Sequence, residues 1–430
     1  MVSWLRSLQL SACVFLLVLC SCNSPLSIGG KKTPHEQYTD GLKNAGLTNT
    51  VLAQGWISAA QKSLAQPVSV TIPYRETGFF PAETPAAAGF RFAAKKGEVI
   101  NVRLETTPVR GSGVFVELWQ LNGTEHKILA YTDSLPGGLS KEIESEGTYL
   151  VRIQPELLRP VGYTLNITTS PSLAFPVRPR DNPKASSFWG ADRDAGARQH
   201  EGVDIFAAKR TPAIAIADGR ITRVNENTLG GKVVFMRPDG SDVSLYYAHL
   251  DSQMVSEGQR VQPGDVIGLI GNTGNARTTP PHLHFGIYTR SGAVDPWPFI
   301  NVNPAKPRTV TADTSLLSLW VKTIDRKIAI TGHPELVLDA GSALQVLAAT
   351  GDQYRVRLPD GTEGFLRGTG VNNKPIRTEK LKREVALLAE PSTDAAVKKD
   401  LATGTAVSVL STWRQFSYVQ SGNISGWIMF

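Results

Sequence analysis

Apolar and polar positions alternate with a period of two over roughly residues 67–170. The clearest runs are Ile100, Val102 and Leu104, then Val114, Val116 and Leu118, then Tyr163, Leu165 and Ile167. Such alternation is typical of strands with one buried face. Turn signals separate the runs, among them Asn122-Gly123 and Glu146-Gly147. The pattern predicts an antiparallel β-sandwich over 67–170.

The period is different before this region. Between residues 35 and 66, apolar side chains recur at mixed spacings of three and four, which predicts a helical segment. His35 and His126 fall outside any cluster of polar candidates, and both are predicted to be surface residues.

The C-terminal part contains an internal repeat. Gly341-Ser-Ala-Leu-Gln-Val-Leu leads to Gly364-Phe365-Leu366, and Gly404-Thr-Ala-Val-Ser-Val-Leu leads to Gly426-Trp427-Ile428. Each copy reads as short strands between tight turns and resembles a bacterial SH3-like barrel, a kind of module that often binds wall peptides. We expect two such barrels, at 308–372 and 373–430. Phe365 and Trp427 are either ligand-binding aromatics or core residues.

The N-terminus reads as a secretory leader. Arg6 supplies the positive charge, and an uninterrupted apolar run from Val14 to Leu19 is too short to span a membrane. Leu19-Cys20-Ser21-Cys22 resembles the bacterial lipoprotein box, which implies a signal peptide at 1–21, a lipidated Cys22 and a tether at 22–34. Outer-membrane attachment, facing the periplasm, is the resulting hypothesis. An ordinary cleaved signal is the alternative.

Composition narrows the picture further. With 430 residues, 41% apolar and 19% charged, the chain is expected to fold into more than one domain. The net charge of +7 is spread along the chain, and we find no basic–aromatic nucleic-acid motif. The three cysteines are Cys13, Cys20 and Cys22, and cleavage before Cys22 would leave only that one, which would carry the lipid, so no disulfide and no thiolate metal ligand is expected in the mature protein.

Four of the seven histidines lie in one window, from Gln199 to Ile287: His200, His249, His282 and His284. Histidine is the commonest metal ligand and the usual proton carrier near neutral pH. In a strand, side chains two residues apart share a face, so His282 and His284 would project together. His200, Gly202 and Asp204 would also share one face, with Gly202 leaving room for an ion.

A helix would place His200 and Asp204 together as well, as in the helical zinc motif His-Glu-x-x-His. Gly202 and Val203 are poor helix residues, and Pro212 follows, so a strand is favoured. Two imidazoles and one carboxylate form a catalytic zinc set with the fourth position left for water.

The order of these motifs resembles the lysostaphin/LytM-type zinc endopeptidases that cleave peptidoglycan peptides. It is carried by His-x-x-x-Asp at 200–204, Tyr-Ala-His-Leu at 247–250, Gly-Asn-Thr-Gly at 271–274 and His-x-His at 282–284. The resemblance implies one zinc ion held by His200, Asp204 and His284. It implies that His282 is the general base and that His249 stabilises the tetrahedral intermediate or orients the water, although the two roles can be exchanged or shared.

The expected fold is mainly β and multidomain. An antiparallel β catalytic domain at 187–300 is preceded by the sandwich, which resembles the jelly-roll domains of secreted bacterial peptidases, and is followed by the two SH3-like barrels. Linkers are expected at 171–186 and 301–307, both rich in proline and polar residues.

The expected function is zinc-dependent hydrolysis of peptide crosslinks in peptidoglycan. The expected partners are peptidoglycan stem peptides and, through the N-terminal lipid, a membrane. The main alternative is a catalytically inactive envelope lipoprotein that binds the wall and activates an amidase. A third alternative is an adaptor that binds the wall through its SH3-like and jelly-roll modules.

Overall fold

The computed structural model describes residues 32–108, 113–123, 125–132 and 137–430, and this part of the chain is mainly β, as predicted. Several sheets and a few short helices make up the described ranges. The predicted signal peptide, the lipidated Cys22 and most of the predicted tether lie outside the described residues. No helix in the described ranges is long and apolar enough to cross a membrane.

The predicted helical segment divides into two helices. They are α1 (Pro34–Asn44) and α2 (Val51–Ala65). The side-chain oxygens of Thr33 and Thr50 accept backbone N–H groups of the first turn of α1 and α2, respectively, and so fix where each begins. Gly46, with φ of 71°, takes the left-handed conformation typical of a helix end. Leu47 and Val51 fit the apolar spacing that predicted a single helical segment across this break. Both side chains are nevertheless exposed.

The prediction that His35 is a surface residue is wrong. Its side chain is buried, and its ring stacks on Trp56 with the ring centroids 4.6 Å apart. The Nε2 atom lies 2.7 Å from Oε1 of Gln154, whose amide nitrogen donates to the backbone oxygen of Trp56. Burial lowers the pKa of His35, and the nearby cation of Arg152 lowers it further. His126, by contrast, is exposed as expected.

Two sheets pack face to face between residues 68 and 171 and enclose one apolar core. Their strands are β1 (Val68–Ser69), β2 (Tyr74–Phe80), β3 (Ala88–Ala94), β4 (Glu98–Thr107), β5 (Val114–Asn122), β6 (Glu125–Thr132), β7 (Gly137–Glu142), β8 (Gly147–Pro155) and β9 (Val161–Pro171). One sheet has the order β1-β3-β8-β5-β6, and the other contains β2-β9-β4-β7. The alternating residues Ile100, Val102 and Leu104 are buried in this core, as their pattern predicts.

The region that carries the histidines is built on a ten-stranded sheet with its own core. Its elements are β10 (Lys184–Ser187), β11 (Asp192–Arg193), β12 (Arg198–Gln199), β13 (Val203–Phe206), β14 (Pro212–Ile214), β15 (Gly219–Asn227), β16 (Gly231–Pro238), β17 (Ser244–Gln253), β18 (Arg260–Val261), β19 (Val266–Ile270), β20 (His282–Thr289), β21 (Gly292–Val294) and the helix α3 (Trp297–Ile300). The central order is β10-β13-β20-β17-β16-β15-β18, and β11 and β12 form a separate hairpin.

The predicted linker at 171–186 is folded against this sheet. Strand β10 pairs with β13, with Lys184 opposite Phe206, and Val177 forms a bridge with Ala213. The backbone groups of this segment therefore complete the sheet, although its prolines and polar residues made it look like a spacer. The second predicted linker, 301–307, contains no helix or strand.

The two C-terminal repeats each consist of short antiparallel strands. They are β22 (Trp320–Thr323), β23 (Ile328–Ile330), β24 (His333–Leu338), β25 (Ala343–Thr350), β26 (Gln353–Arg357), β27 (Glu363–Arg367), β28 (Val371–Asn372), β29 (Arg377–Lys380), β30 (Val385–Leu388), β31 (Val397–Leu401), β32 (Ala406–Trp413), β33 (Phe416–Ser421) and β34 (Ile424–Met429). Phe365 packs into the core of the first sandwich, and Trp427 packs against Trp320 of the preceding repeat. Both aromatics are therefore core residues.

The first repeat is joined directly to the N-terminal sandwich. Strand β25 pairs with β2, so the two regions share one nine-stranded sheet. Beside this joint, Arg355 donates two hydrogen bonds of 3.0 Å to the carboxylate of Glu76, and both side chains are buried. The hydroxyls of Tyr74 and Tyr163 each donate to the same carboxylate at 2.6 Å. A buried charge is tolerated when it is paired and hydrogen-bonded in this way.

Substitution of Glu76 tests this joint. Glu76→Gln removes one of the two carboxylates that pair with the buried guanidinium of Arg355, the other being Glu363, so we expect the free energy of unfolding in urea to fall by about 3 kcal/mol. The matched control is Glu379→Gln, which breaks the partly exposed pair with Arg377 and should change the free energy by no more than about 0.5 kcal/mol. Equal losses in both variants would contradict a special role for the buried pair.

His35 predicts a pH dependence of stability. Its pKa in the folded protein lies below 6.5, so as the pH falls the unfolded chain binds the proton first and stability is lost. The loss begins as the pH drops through 6.5 and levels off below the folded pKa. Urea unfolding at pH 8 and pH 5 should show a smaller pH difference for His35→Gln than for the unchanged protein. His126→Gln, at an exposed position, serves as the control and should behave as the unchanged protein does.

Candidate metal centre

Two adjacent strands bring most of the predicted site together. Strands β13 and β20 pair antiparallel, with Asp204 opposite His284 and Phe206 opposite His282. The strand prediction holds for Asp204, His282 and His284. His200 differs, because it lies in the segment before β13 rather than in the strand. Hydrogen bonds from its backbone N–H to Ala191 and from Gly190 to its backbone oxygen hold it there instead.

Gly202 has a different role from the predicted one. A Cβ atom at this position would lie 2.6 Å from Cε1 of His284 and 2.7 Å from the backbone oxygen of Phe285. The absence of a side chain therefore makes room for the imidazole of His284 and for the neighbouring strand, rather than for an ion. Glycine in a strand region often marks such a close approach.

Three ligand atoms of the predicted set lie at the corners of a small triangle. His200 Nε2 is 2.9 Å from His284 Nδ1, and Asp204 Oδ1 is 3.0 Å from the former and 3.1 Å from the latter. Two ligand atoms about 2.0–2.1 Å from a tetrahedral zinc ion would lie about 3.3 Å apart. The triangle therefore has nearly the dimensions that three zinc ligands require.

The chemistry of these atoms also fits a cation. Nδ1 of His200 lies 3.0 Å from the backbone oxygen of Phe188, which can only accept a hydrogen bond. That contact places the proton on Nδ1 and leaves a lone pair on Nε2, facing the other two ligand atoms. A carbonyl on the outer nitrogen of a metal-binding histidine is a common way to fix its tautomer.

The carboxyl of Asp204 is held in its charged form. Its burial would raise the pKa, but the close contacts with the rings of His200 and His284 outweigh that effect and keep the pKa well below its usual range. Burial lowers the pKa of His284, which favours the neutral ring. Neutral imidazole and ionised carboxylate are the protonation states that bind a metal.

The other two histidines flank this triangle. His282 Nδ1 lies 2.9 Å from the backbone oxygen of Pro280, and His249 Nδ1 lies 3.0 Å from that of Thr273. Both contacts put the proton on Nδ1, so the Nε2 atom of each ring carries a lone pair. The two ring centroids are 4.9 Å apart, and His282 Nε2 is 3.9 Å from Asp204 Oδ1.

His249 owes its position to an unusual backbone. It takes φ of 61° within β17, a conformation that is uncommon for residues other than glycine and that often occurs at functional sites. Burial, followed by the proximity of His284 and His282, lowers the pKa of His249 to about 4. Its ring is therefore neutral at pH 7.

All five side chains line an open cleft of about 700 Å³. Other lining residues are Ser187, Arg193, Arg198, Glu201, Leu229 and Tyr246. Tyr246 faces the cleft, whereas Tyr247 points to the opposite side and is fully buried. An open cleft of this kind can accommodate an extended chain alongside the three ligand atoms.

Sequence reasoning missed Arg193 and Ser187. Arg193 donates to Oδ2 of Asp204 at 2.6 Å and to Oγ of Ser187 at 2.7 Å. Ser187 Oγ in turn lies 3.3 Å from His200 Nδ1. No spacing rule links these residues to the histidines, because the β11–β12 hairpin brings Arg193 to the site through tertiary packing.

Known proteins resemble this chain in the segment that carries the histidines. Residues 198–296 match the model of peptidase family M23. An L-Ala–D-Glu endopeptidase of Bacillus subtilis is 36% identical over 139 residues, which cover 30% of this chain and 42% of that protein. The peptidoglycan DD-endopeptidase ShyC of Vibrio cholerae is 36% identical over 116 residues, which cover 26% of this chain and 26% of that protein.

Among solved structures, the catalytic domain of the antimicrobial peptidase lysostaphin from Staphylococcus simulans is similar. The two are 32% identical, and the match covers 28% of this chain and 93% of the lysostaphin chain, with a TM-score of 0.26. The chain spans less than half the length of these two curated relatives. The family model and the relatives therefore support an M23-type peptidase for the histidine-rich segment.

Substitution of Gly202 tests the packing of the site. Gly202→Ala would push against the ring of His284 and the backbone of Phe285, so we expect divalent-metal affinity to fall at least tenfold and stability to fall by about 1–3 kcal/mol. Chelator competition and urea unfolding measure the two effects. Gly147→Ala is the control, since its Cβ would meet one atom at 3.9 Å. Unchanged metal affinity in Gly202→Ala would contradict the proposed packing.

Proposed function

We propose that residues 187–300 form a zinc-dependent endopeptidase that hydrolyses peptide crosslinks of bacterial peptidoglycan. The observation that carries this proposal is the arrangement of five side chains in the cleft. Three donor atoms lie 2.9–3.1 Å from one another, and two further histidines with free Nε2 lone pairs stand beside them. The match to peptidase family M23 over 198–296 supports the same activity.

His200, Asp204 and His284 would hold the metal through Nε2, Oδ1 and Nδ1. When bound, a single zinc ion would lower the pKa of a coordinated water to about 7 and polarise the scissile carbonyl. The carboxylate of Asp204 turns Oδ1 toward the two histidine ligand atoms, while Oδ2 accepts a hydrogen bond from Arg193. The protein thus supplies three ligands, which is the usual number for catalytic zinc.

His282 and His249 would handle protons. Since each ring carries its proton on Nδ1, Nε2 of either ring can accept a proton from the attacking water. A ring that has accepted this proton is a cation, and it can then stabilise the oxyanion or give the proton to the departing amine. We assign the uptake of the water proton and its delivery to the departing amine to His282, and orientation of the water or stabilisation of the tetrahedral intermediate to His249, with exchange or sharing of the two roles as the alternative assignment.

The shape of the cleft supports a peptide substrate. Its open form suits an extended crosslink better than a compact small molecule, and related proteins are described as a peptidoglycan DD-endopeptidase and an L-Ala–D-Glu endopeptidase. We propose a crosslink between D-alanine and diaminopimelate as the bond cleaved. We also propose the lipoprotein leader, with attachment through Cys22 to the periplasmic face of an outer membrane, and the proposed substrate is compatible with that location.

The C-terminal repeats are proposed as SH3-like modules that position the enzyme. Burial of Phe365 and Trp427 removes these two aromatics as wall-binding groups. Any contact of the repeats with the wall must therefore use other, exposed side chains.

Digestion of isolated sacculi tests the proposed activity. The unchanged protein with zinc should release soluble muropeptides, and a chelator should abolish the release. His282→Ala should lower the rate about 10²- to 10⁴-fold while keeping one zinc ion per chain, because it loses a proton acceptor and not a ligand. His284→Ala should lose both zinc and activity. Mass spectrometry of the released fragments identifies the bond.

His126→Ala is the matched control, because it removes an exposed histidine from another part of the chain. It should digest sacculi at the unchanged rate. If the zinc-loaded protein binds sacculi but releases nothing, the enzyme proposal fails. Stimulation of an added amidase under those conditions would then support the inactive regulator.

A further inference from the structure

The hairpin β11–β12 lies at the rim of the cleft and is tied to the metal centre at two points. Asp192 pairs with Gln199 and Arg193 pairs with Arg198, so Arg193 is held in a short two-stranded ladder. The backbone of His200, which follows β12 directly, hydrogen-bonds to Ala191 and Gly190. The same hairpin therefore fixes the first proposed ligand and carries Arg193.

We propose that Arg193 is a positioning residue that holds Asp204 in a one-oxygen binding mode. This inference rests on the proposed metal centre. One nitrogen of the guanidinium, Nη2, donates to Asp204 Oδ2 at 2.6 Å and to Ser187 Oγ at 2.7 Å. Asp204 Oδ1 is left facing His200 Nε2 and His284 Nδ1.

The binding mode of the carboxylate decides how many positions the protein fills. A carboxylate that binds through one oxygen gives three protein ligands in all, and the fourth position stays available for water. A carboxylate that is free to turn can bind through both oxygens or swing away from the metal. The charge-assisted hydrogen bond from Arg193 to Oδ2 opposes both movements, because turning or swinging of the carboxylate would weaken it.

Ser187 extends the same connection to a second ligand. Its hydroxyl accepts from Arg193 and lies 3.3 Å from Nδ1 of His200, beside the carbonyl of Phe188. Arg193 therefore contacts one ligand directly and another through a single side chain. Groups that orient ligands in this way typically change metal affinity or activity 10- to 100-fold when they are removed.

The positive charge of Arg193 acts in the opposite direction, because it weakens the attraction between Asp204 and a divalent cation. The Arg193 side chain is 31% exposed, so water and salt screen this charge, whereas the hydrogen bond to Asp204 is a local contact. The orientation effect is therefore the larger one. The sign of the change in metal affinity distinguishes the two effects.

Competition with a chromogenic chelator measures zinc affinity in the full chain. Arg193→Ala should bind zinc 10- to 100-fold more weakly than the unchanged protein. Arg193→Lys, which can still donate to Oδ2 but lacks the planar fork, should recover part of the loss. Arg260→Ala, which breaks an Arg–Asp pair elsewhere in the same region, should leave the affinity unchanged.

Replacement of zinc by cobalt provides a second readout. Four-coordinate Co²⁺ absorbs visible light more strongly than five- or six-coordinate Co²⁺. Arg193→Ala should therefore lower the molar absorbance of the cobalt-loaded protein, since Asp204 is free to bind through both oxygens. A change that is merely structural would lower the melting temperature of the metal-free protein without this spectral change.

The outcomes separate the two proposals. If the unchanged protein binds no zinc, the metal centre itself is wrong. If the unchanged protein binds zinc, but Arg193→Ala binds it equally well or more tightly, the metal centre stands and the role of Arg193 is wrong. An unaltered cobalt spectrum in Arg193→Ala would likewise overturn the one-oxygen binding mode.

Discussion

The pairing register of strands β13 and β20 is the constraint on which the site depends. It sets Asp204 opposite His284, so a carboxylate and an imidazole from distant parts of the chain meet on one face of the sheet. A shift of one residue would turn His282 and His284 to the other face. Fully buried apolar residues on the opposite face, among them Leu283 and Ile205, make such a shift unfavourable. The packing of the core thus determines the geometry of the chemistry.

The regions outside the cleft are joined by contacts that resemble a protein interior. Gly97 lies directly against the ring of Phe299, which connects the N-terminal sandwich to the region with the histidines. Strands β2 and β25 and the buried pair Glu76–Arg355 connect the sandwich to the first repeat. Trp427 and Trp320 connect the two repeats. The cleft therefore belongs to a continuous set of packed regions.

The parts of the site that could be predicted from the sequence follow local rules. His282 and His284 share a face because residues two apart in a strand do so, and Asp204 was correctly expected in a strand. His200 could not be placed, since its position depends on backbone hydrogen bonds to the β11–β12 hairpin. The same reason explains why the sequence did not predict the contact of Arg193 with the site, the role of Gly202 or the burial of His35. Each depends on which distant segments meet in space, and periodicity carries no information about that.

The sheet shared by β2 and β25 also bears on how the chain reaches its native state. The hydroxyl of Thr350 donates to the backbone oxygen of Arg75, 275 residues earlier in the sequence. During synthesis, the N–H and C=O groups on one edge of β2 stay unpaired until β25 (Ala343–Thr350) has been made. Exposed strand edges attract other strands, and contacts this remote in sequence form slowly. Early assembly of the N-terminal sandwich therefore leaves a surface prone to aggregation until β25 arrives and covers it.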